Sequence, residues 1–300
     1  MSLPGTGGQI NLEPELPAEI HTLAMNSWEQ ISRGFRKNEI DGAFINIPLA
    51  MDLFDAGLDL VLVMFAHRGG SQMVGNPRIN KISDFSGKSV LVPHPLSVQH
   101  MLLHKFMGTK GLDLGQDHKT AAVQAEFVPP GVMPEMMAQD EDADIAAFMT
   151  ADPFATVAVD REYGKKLLSS RDLWKDHPCC GFVIRQDLIE EGYEEVDALV
   201  RLFFESAFIL DRHRTGESVL DKTALRLAAD FLGQSERITA RAIEASGVSY
   251  TPDLLIPEPD LLAIVQDYMS QTMGMLAGTT DFDTFINPVF ARNAVSEIYP

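Results

Sequence analysis

The chain has 300 residues, of which 45% are hydrophobic and 22% charged, values that are ordinary for a soluble globular protein. Its formal net charge of −19 argues against nucleic acid as a partner, because phosphate binding needs a basic surface, and against docking on an anionic membrane. No apolar run approaches the roughly 18 to 20 residues of a membrane span. The first residues, MSLPGTGGQINLEP, lack the basic and apolar segments of a signal peptide, so they do not indicate a compartment.

Short apolar runs alternate with longer amphipathic runs over the first part of the chain. The apolar runs predict strands at 19–25, 41–47, 59–66, 88–93, 124–129, 144–149 and 179–184. Helices are predicted to begin at Ser27, Leu49, Ser97, Val132, Phe154 and Tyr193. The alternation predicts βαβ units with mostly parallel sheets and right-handed crossovers. After Tyr193 the sequence has helical periodicity, and no further strand is predicted once CCGFVIRQ has ended.

Two stretches share one pattern, MNSWEQISRGFRKNEIDGAFINIP and VPPGVMPEMMAQDEDADIAAFMTADP. Each has a turn, a helical run, an acidic residue, a short strand and a proline. Ligands of open α/β sheets bind beyond the carboxyl ends of strands, so two such strand ends predict two similar lobes that face each other across a cleft. Extended segments at 64–74 and 176–185 predict a two-stranded hinge. The first lobe is then 1–68 plus 182–300, and the second is 69–181.

Four segments carry a resemblance to a known family: SWEQISRGFRKNEIDGAF, DFSGKSVLVPHPLSVQHMLLHKF, VPPGVMPEMMAQDEDADIAAFMTADPF and DLWKDHPCCGFVIRQDLI. In their order and spacing they resemble the substrate-binding proteins of ABC importers, in the nitrate/sulfonate/taurine-type branch. The resemblance implies an α/β, two-lobed periplasmic binding protein type 2 architecture with hinge strands and a helical C-terminal region. It also implies a periplasmic or otherwise extracytoplasmic protein that captures a small polar ligand (an oxyanion, a sulfonate or a heterocycle) in the interlobe cleft for an ABC permease, without a cofactor.

Two alternatives stay open at this point. The same branch includes enzymes of thiamine-pyrimidine and menaquinone precursor synthesis, and clustered cysteines and histidines, as in HPCC, mark the pyrimidine-forming relatives. Against an enzyme, the sequence has no nucleophile elbow, Walker loop, Rossmann glycine signature or catalytic triad spacing. The other alternative is a ligand sensor without a transport role. Relatives begin with a further strand and helix, for which the residues ahead of Ile20 leave no room, so an exposed sheet edge and a homodimer through it are expected.

Candidate ligand contacts in the first lobe lie at a helix start and at a strand end. Ser27 is a fair N-cap whose helix start offers unpaired N–H groups, and the resemblance places an aromatic or small polar side chain such as Trp28 against the ligand. The alternative is a capping serine with a core tryptophan. Asn46 and Pro48 end the strand DGAFINIP. Asn46 could hydrogen-bond a ligand or be an ordinary turn residue.

The second lobe offers matching candidates. In VPHPLSVQH, Ser97 is expected to cap a helix that points at the cleft, with His94 beside it. Asp152 lies at the strand end that corresponds to Asn46. Its carboxylate would favour a ligand that carries N–H groups or positive charge, and the alternative is an N-cap for the helix that follows.

The hinge crossings contain the remaining candidates. His67 and Arg68 lie in the outgoing crossing and His177 in the returning one, where they would line the cleft floor. Arg68 could hold a carboxylate or sulfonate bidentately, or could be a solvent-facing hinge arginine.

Two further groupings in the sequence have the residue types of metal or redox sites. His100 and His104 have the i, i+4 spacing of two metal ligands, but no third ligand is evident, so packing histidines are the alternative and no metal is expected. The adjacent Cys179 and Cys180 are expected to be two buried thiols, with a redox role as the alternative.

Overall fold

The computed structural model describes residues 19–25, 27–117, 120–245 and 247–298. Its strands are β1 (Gly42–Asn46), β2 (Leu60–Arg68), β3 (Ser71–Gly75), β4 (Ser89–Val92), β5 (Leu114–Gly115), β6 (Val123–Phe127), β7 (Ile145–Ala151), β8 (Lys165–Ser169) and β9 (Pro178–Arg185). The first six helices are α1 (Trp28–Arg36), α2 (Ile47–Asp55), α3 (Val98–Thr109), α4 (Met133–Gln139), α5 (Phe154–Asp160) and α6 (Gln186–Glu191). The C-terminal helices are α7 (Tyr193–Arg214), α8 (Lys222–Leu232), α9 (Glu236–Ala245), α10 (Pro259–Asp267), α11 (Phe282–Phe285) and α12 (Val289–Ile298).

The strands form two sheets. The smaller has the order β1-β9-β2, and β9 is antiparallel to both of its neighbours. The larger has the order β5-β6-β4-β7-β3-β8. Its β4, β5, β6 and β7 pair in parallel, whereas β3 is antiparallel to β7 and to β8. The prediction of mostly parallel sheets is therefore right for the centre of the larger sheet and wrong for the smaller one, because β9 returns to the smaller sheet from the opposite direction.

Several predicted boundaries need correction. Residues 19–25 were predicted as a strand but have no regular structure. A strand needs a neighbouring strand and an apolar surface that covers one of its faces. Leu23, which is 66% exposed, has no such cover. The helix predicted to begin at Leu49 begins at Ile47, since Pro48 is well suited to the first helical turn. Strands β3, β5 and β8 were not predicted.

The apolar core explains where the C-terminal helices lie. One cluster joins the smaller sheet, α2, α3 and the central strands of the larger sheet. A second packs Phe204 of α7 and Phe290 of α12, both fully buried, against Phe182 of the smaller sheet. The helical C-terminal region predicted from periodicity is thus part of the same body as the smaller sheet. Among the described residues, no helix combines the length and the hydropathy that a membrane span requires.

Two chain crossings connect the sheets, and they run side by side. The outgoing chain leaves β2 at Arg68, passes Gly69 and Gly70, and enters β3 at Ser71. The returning chain reaches β9 through His177, whose carbonyl accepts a hydrogen bond from the Gly69 amide at 3.0 Å. Gly69 and Gly70 have φ of +64° and +90°, which is why glycine is needed at this turn between sheets.

Candidate functional site

Five polar side chains meet where the crossings leave the smaller sheet. Asn46 ends β1, His67 is near the end of β2, Gln99 lies in the first turn of α3, and Cys179 and Cys180 begin β9. We call these five residues the crossing cluster. Gln99 Nε2 donates to Cys179 Sγ at 3.3 Å, and Cys180 Sγ lies 3.9 Å from Asn46 Oδ1, to which it donates. One ligand atom each of His67, Cys179 and Cys180 lies within 4.8 Å of the others.

Two β-bulges explain how consecutive cysteines reach one site. Successive side chains of a regular strand point to opposite faces of the sheet. Here His67 pairs with Cys180 and Arg68 with Pro178, so Cys179 is an extra residue on β9. A second irregularity lies between Phe65 and His67, on the other side of the same pair. The bulges re-aim the side chains at the strand ends, so both thiols approach the imidazole.

The crossing cluster holds several buried polar atoms that have no hydrogen-bond partner in the protein. They include Nδ2 of Asn46, Nδ1 of His67 and Oε1 of Gln99, and Nε2 of the neighbouring His177 is in the same state. Asn46 and His177 are 0% exposed and Gln99 is 3% exposed. Each unmatched buried group costs roughly 1–3 kcal/mol, so a concentration of them is what a binding site for a polar ligand or for ordered water has when it is empty.

Burial keeps the histidines of this region neutral near pH 7. Burial lowers the pKa of His67 and that of His177 to about 4. The hydrogen bond from Cys180 is the main cause that lowers the pKa of the Cys179 thiol, and the same contact raises the pKa of Cys180 well above its usual value. If either thiol of the pair ionises, Cys179 does so first.

Arg68 lies in the crossing, but its guanidinium is directed away from the cluster. Nε donates to the carbonyl of Leu254, Nη1 donates to the carbonyl of Asp176 at 3.3 Å, and Nη2 pairs with Glu258 at 3.1 Å. The planar group also lies 4.2 Å from the ring centre of Phe65. Arg68 is 1% exposed, so the alternative of a solvent-facing arginine is wrong. Its guanidinium holds the crossing to the C-terminal region and has little capacity left for a ligand.

Asp152 caps a helix. One carboxylate oxygen accepts from the Thr156 amide at 2.9 Å, and the other accepts from Gln72 Nε2 at 2.5 Å. Asp152 thus bonds the first turn of α5, as the N-cap alternative predicted, but from one residue ahead of the N-cap position, which Pro153 occupies. Burial raises the pKa of Asp152, and it also raises the pKa of the nearby Tyr250 to about 12, with the Asp152 charge as a second cause. Tyr250 lies 6.4 Å from His67 between ring centres, so Asp152 is near the edge of the crossing cluster.

The other candidates form a second group at the starts of α1 and α3. Ser97 accepts from the His100 amide at 3.2 Å and donates to the His94 carbonyl at 2.7 Å, and it is 0% exposed. Ser27 caps α1 in the same way, through a 3.3 Å contact from the Gln30 amide. His94 Nε2 lies 3.9 Å from Glu29 of α1, so the two helix starts are neighbours.

Two further candidates, the half-buried Trp28 at the start of α1 and Pro48 in α2, contact the apolar core with at least part of their surface. Trp28 packs against the main apolar core. Pro48 is buried in the first turn of α2. His100 and His104, which have the spacing of two metal ligands, have other contacts: Nδ1 of His100 contacts the Pro95 carbonyl at 2.9 Å, and Nδ1 of His104 contacts the Tyr268 hydroxyl at 3.0 Å.

A surface pocket of about 380 Å³ lies far from the crossing cluster. It is lined by residues at the opposite ends of the strands, among them Leu60 of β2 and Arg185 of β9, which pair with each other. Arg185 is neutralised by Asp187 and Asp41. The pocket is open and charged, none of the buried atoms without a partner belongs to its lining, and it carries no functional argument.

Residues 15–221, which are more than half of the chain, match the model of the NMT1-like family. The chain belongs to this family. It is 25% identical over 226 residues to the nitrate import ATP-binding protein NrtC of Synechocystis, a match that covers 69% of this chain and 32% of that protein. The chain thus spans about a third of the length of this relative. It is also 24% identical over 149 residues, half of the chain, to the nitrate/nitrite binding protein NrtA of Nostoc.

Solved structures agree on the fold. The periplasmic nitrate-binding protein NrtA from Synechocystis has a TM-score of 0.77 at 15% identity, covering 92% of this chain and 80% of that one. The ligand-binding component of an ABC-type import system from Staphylococcus aureus, with zinc bound, has a TM-score of 0.76 at 21% identity. The match covers 90% of this chain and 86% of that one. The resemblance read from the sequence and the type 2 periplasmic binding protein fold are therefore confirmed. These relatives are named for import and ligand binding, so the comparisons do not favour the enzyme alternative.

The buried His100 and His177 and the half-buried His67 predict that the protein is sensitive to acid. The pKa values of His67, His100 and His177 are all lowered to about 4 by burial, below about 6.5 for an unfolded chain. The unfolded chain therefore takes up protons first as the pH falls, and the stability present above pH ~6.5 is lost on the way to pH ~4. Each histidine contributes at most about 1.4 kcal/mol per pH unit.

We expect the urea midpoint to fall clearly between about pH 7 and pH 5, a window above the titration of ordinary carboxylates. His100→Gln removes one of the three groups and should make this dependence shallower. An unchanged midpoint across the window would show that these rings are not buried as neutral groups.

Proposed function

We propose that this protein binds a small polar solute between its two sheets, as the solute-binding component of an ABC importer. The observation that carries the proposal is the set of unmatched buried polar atoms in the crossing cluster, on Asn46, His67 and Gln99. A bound solute would supply their missing hydrogen bonds. The names of the nitrate-binding and sulfonate-binding neighbours support the same role and suggest a small oxyanion or sulfonate as the first ligands to test.

The division into lobes, 1–68 plus 182–300 and 69–181, is part of this proposal. The larger sheet then lies in the second lobe and the smaller sheet in the first, except that the first half of β9 belongs to the returning crossing, and the paired crossings at Gly69 and His177 form the hinge. Closure around the solute would bring the starts of α1 and α3, capped by Ser27 and Ser97, toward the crossing cluster. Helix starts favour anions through their unpaired N–H groups. His94 and Trp28 would lie beside the solute in this closed form.

The cellular setting follows from the role. We propose that the protein acts outside the cytoplasm and delivers its solute to an ABC permease, with no chemical step of its own. The ATP-binding function in the name of NrtC is not carried over, because this chain has no G-x-x-x-x-G-K-[ST] sequence.

The test is a thermal-shift screen with nitrate, nitrite, bicarbonate, alkanesulfonates, amino acids and pyrimidines. A solute at about 1,000 times its dissociation constant stabilises the protein by about 4 kcal/mol, which is several degrees in melting temperature. Asn46→Leu should then weaken binding of the active solute by about 10- to 100-fold, because a solute group is left without its partner. The same change removes the unmatched Nδ2 and one weak contact from the Cys180 thiol, so it should change the stability of the solute-free protein by less than about 1 kcal/mol.

Asn293→Leu is the matched control. Asn293 lies on α12 and donates to Asp197 at 3.2 Å, away from both crossings, so its replacement should leave solute affinity unchanged. A solute that binds equally well to wild type and to Asn46→Leu would place the binding site elsewhere. A flat screen across all classes would overturn the proposed role.

We also propose that the free edge of the smaller sheet pairs two copies of the chain. β1 is the last strand of its sheet and has a strand partner only in β9 among the described residues. Phe44 of β1 is 42% exposed. Light scattering should give the mass of a dimer for wild type and of a monomer for Phe44→Glu, whereas a monomeric wild type would refute this pairing.

A further inference from the structure

We propose that His67, Cys179 and Cys180 form a binding site for a thiophilic metal ion, Zn²⁺ in the first place, at the junction of the two crossings. The site goes beyond the proposed solute-binding role, since three side chains of the protein itself would hold the ion. It rests on the positions of these residues and of the two amides next to them.

The distances fit a metal that draws the ligands in slightly. One nitrogen of His67 and the two sulfur atoms lie within 4.8 Å of one another. Around a tetrahedral zinc, with Zn–S of about 2.3 Å and Zn–N of about 2.0 Å, neighbouring ligand atoms are roughly 3.5–3.8 Å apart. Each ligand therefore has to move by about 1 Å or less, which a side-chain rotation can supply. The two bulges beside the His67–Cys180 pair have already turned both thiols toward the ring.

The ligand types select the class of metal. Two thiolates and one imidazole suit Zn²⁺ or Cu⁺, whereas Ca²⁺ and Mg²⁺ require oxygen ligands. Three protein ligands leave a fourth tetrahedral position open to water or to a bound solute. Within the described residues this is the one group of three or more histidine, cysteine or acidic side chains with such spacing.

The two neighbouring amides are placed to support thiolates. Gln99 Nε2 already donates to Cys179 Sγ at 3.3 Å. On the other side, Asn46 Oδ1 faces Cys180 Sγ, and Asn46 Nδ2 is buried without a partner. When Cys180 loses its proton it needs a donor instead of an acceptor. A flip of the Asn46 amide then turns Nδ2 to the sulfur as a donor, and Oδ1 takes the position in which Nδ2 has no partner in the thiol form.

The binding step is balanced without any oxidant or reductant. Zn²⁺ forms one bond to the imidazole nitrogen and one to each sulfur, and each thiol releases one proton to the buffer. Affinity should therefore fall as the pH is lowered. Calorimetric titrations in buffers of different ionisation enthalpy count the released protons, and release of one proton from each thiol is the expected result.

The decisive experiment titrates the reduced, metal-free protein with Zn²⁺ by calorimetry and with Co²⁺ by absorption spectroscopy. We expect one ion per chain and, with Co²⁺, a thiolate-to-metal charge-transfer band in the near ultraviolet. Cys179→Ser, Cys180→Ser and His67→Ala should each weaken Zn²⁺ binding by more than about 100-fold, and Gln99→Leu by about 10- to 100-fold as the loss of a supporting hydrogen bond.

His104→Ala is the control, because His104 bonds Tyr268 outside the cluster and should keep full affinity. Circular dichroism shows whether each variant is folded. Equal Zn²⁺ affinity in wild type and in both serine variants, or no charge-transfer band in folded protein, would overturn the proposal. These titrations contain no solute, so their failure would leave the solute-binding role standing, and a flat solute screen would leave the metal site standing.

Discussion

Replacing Arg68 by methionine should lower the free energy of unfolding by about 3 kcal/mol. The guanidinium is 1% exposed, and it donates to two backbone carbonyls, those of Leu254 and Asp176, as well as to Glu258. Methionine fills much of the volume over the Phe65 ring but leaves both carbonyls without a donor. Urea unfolding followed by far-ultraviolet circular dichroism measures the change.

Arg201→Met is the matched control for this substitution. Arg201 also pairs with a glutamate, Glu297 at 2.9 Å, but both side chains are about half exposed. Exposed ion pairs contribute about 0–1 kcal/mol, so this variant should remain close to wild type. If Arg68→Met were as stable as Arg201→Met, the buried contacts of the crossing would not hold the C-terminal region. A stable Arg68→Met with lost solute binding would instead restore Arg68 as a ligand contact.

Gly181→Ala should be the second damaging change, with a loss of about 1–3 kcal/mol. Gly181 lies in β9, the central strand of the smaller sheet, next to Cys180. A methyl group there would overlap Leu62, lie 2.9 Å from Cδ1 of Ile47 and lie 3.1 Å from the carbonyl oxygen of Met64. Both side chains are fully buried, so they have no free space to move into.

Gly108→Ala tests the same chemical change where space is free. Gly108 lies near the end of α3, and an added Cβ would meet nothing within 4 Å. Alanine should therefore stabilise the protein by about 0.5 kcal/mol through its better helix propensity. Opposite signs for the two glycine changes are expected in thermal unfolding, and a destabilisation of the same size at both sites would contradict the packing argument.

The pairing of β9 links these stability effects to the candidate site. Both cysteines and Gly181 lie within the first half of this strand, and both bulges occur where this half pairs with β2. Arg68, which pairs with Pro178 at the start of β9, holds the partner strand β2 to the C-terminal region. The crossing cluster is therefore built on a part of the crossings that several buried contacts hold in place, as a site with a fixed geometry requires.

The sequence by itself determined the parts that depend on local pattern. The alternation of apolar runs with amphipathic runs predicted β4, β6, β7 and the helices between them, because parallel strands joined by helices leave this signature in one chain. The serine caps at Ser27 and Ser97 were likewise visible, since capping depends on a residue and the next turn only. The four quoted segments were enough to indicate the family.

Only the tertiary structure decided which candidate side chains face one another. Arg68 was a natural anion ligand by type, yet its partners are 108 to 190 residues away along the chain, and no local pattern reports contacts at such a separation. Gln99 was not a candidate, because a glutamine inside a helix gives no signal until β9 brings Cys179 against it. The adjacent cysteines were predicted as packing thiols, and the bulges that turn both toward His67 arise from strand register, which two distant segments fix together.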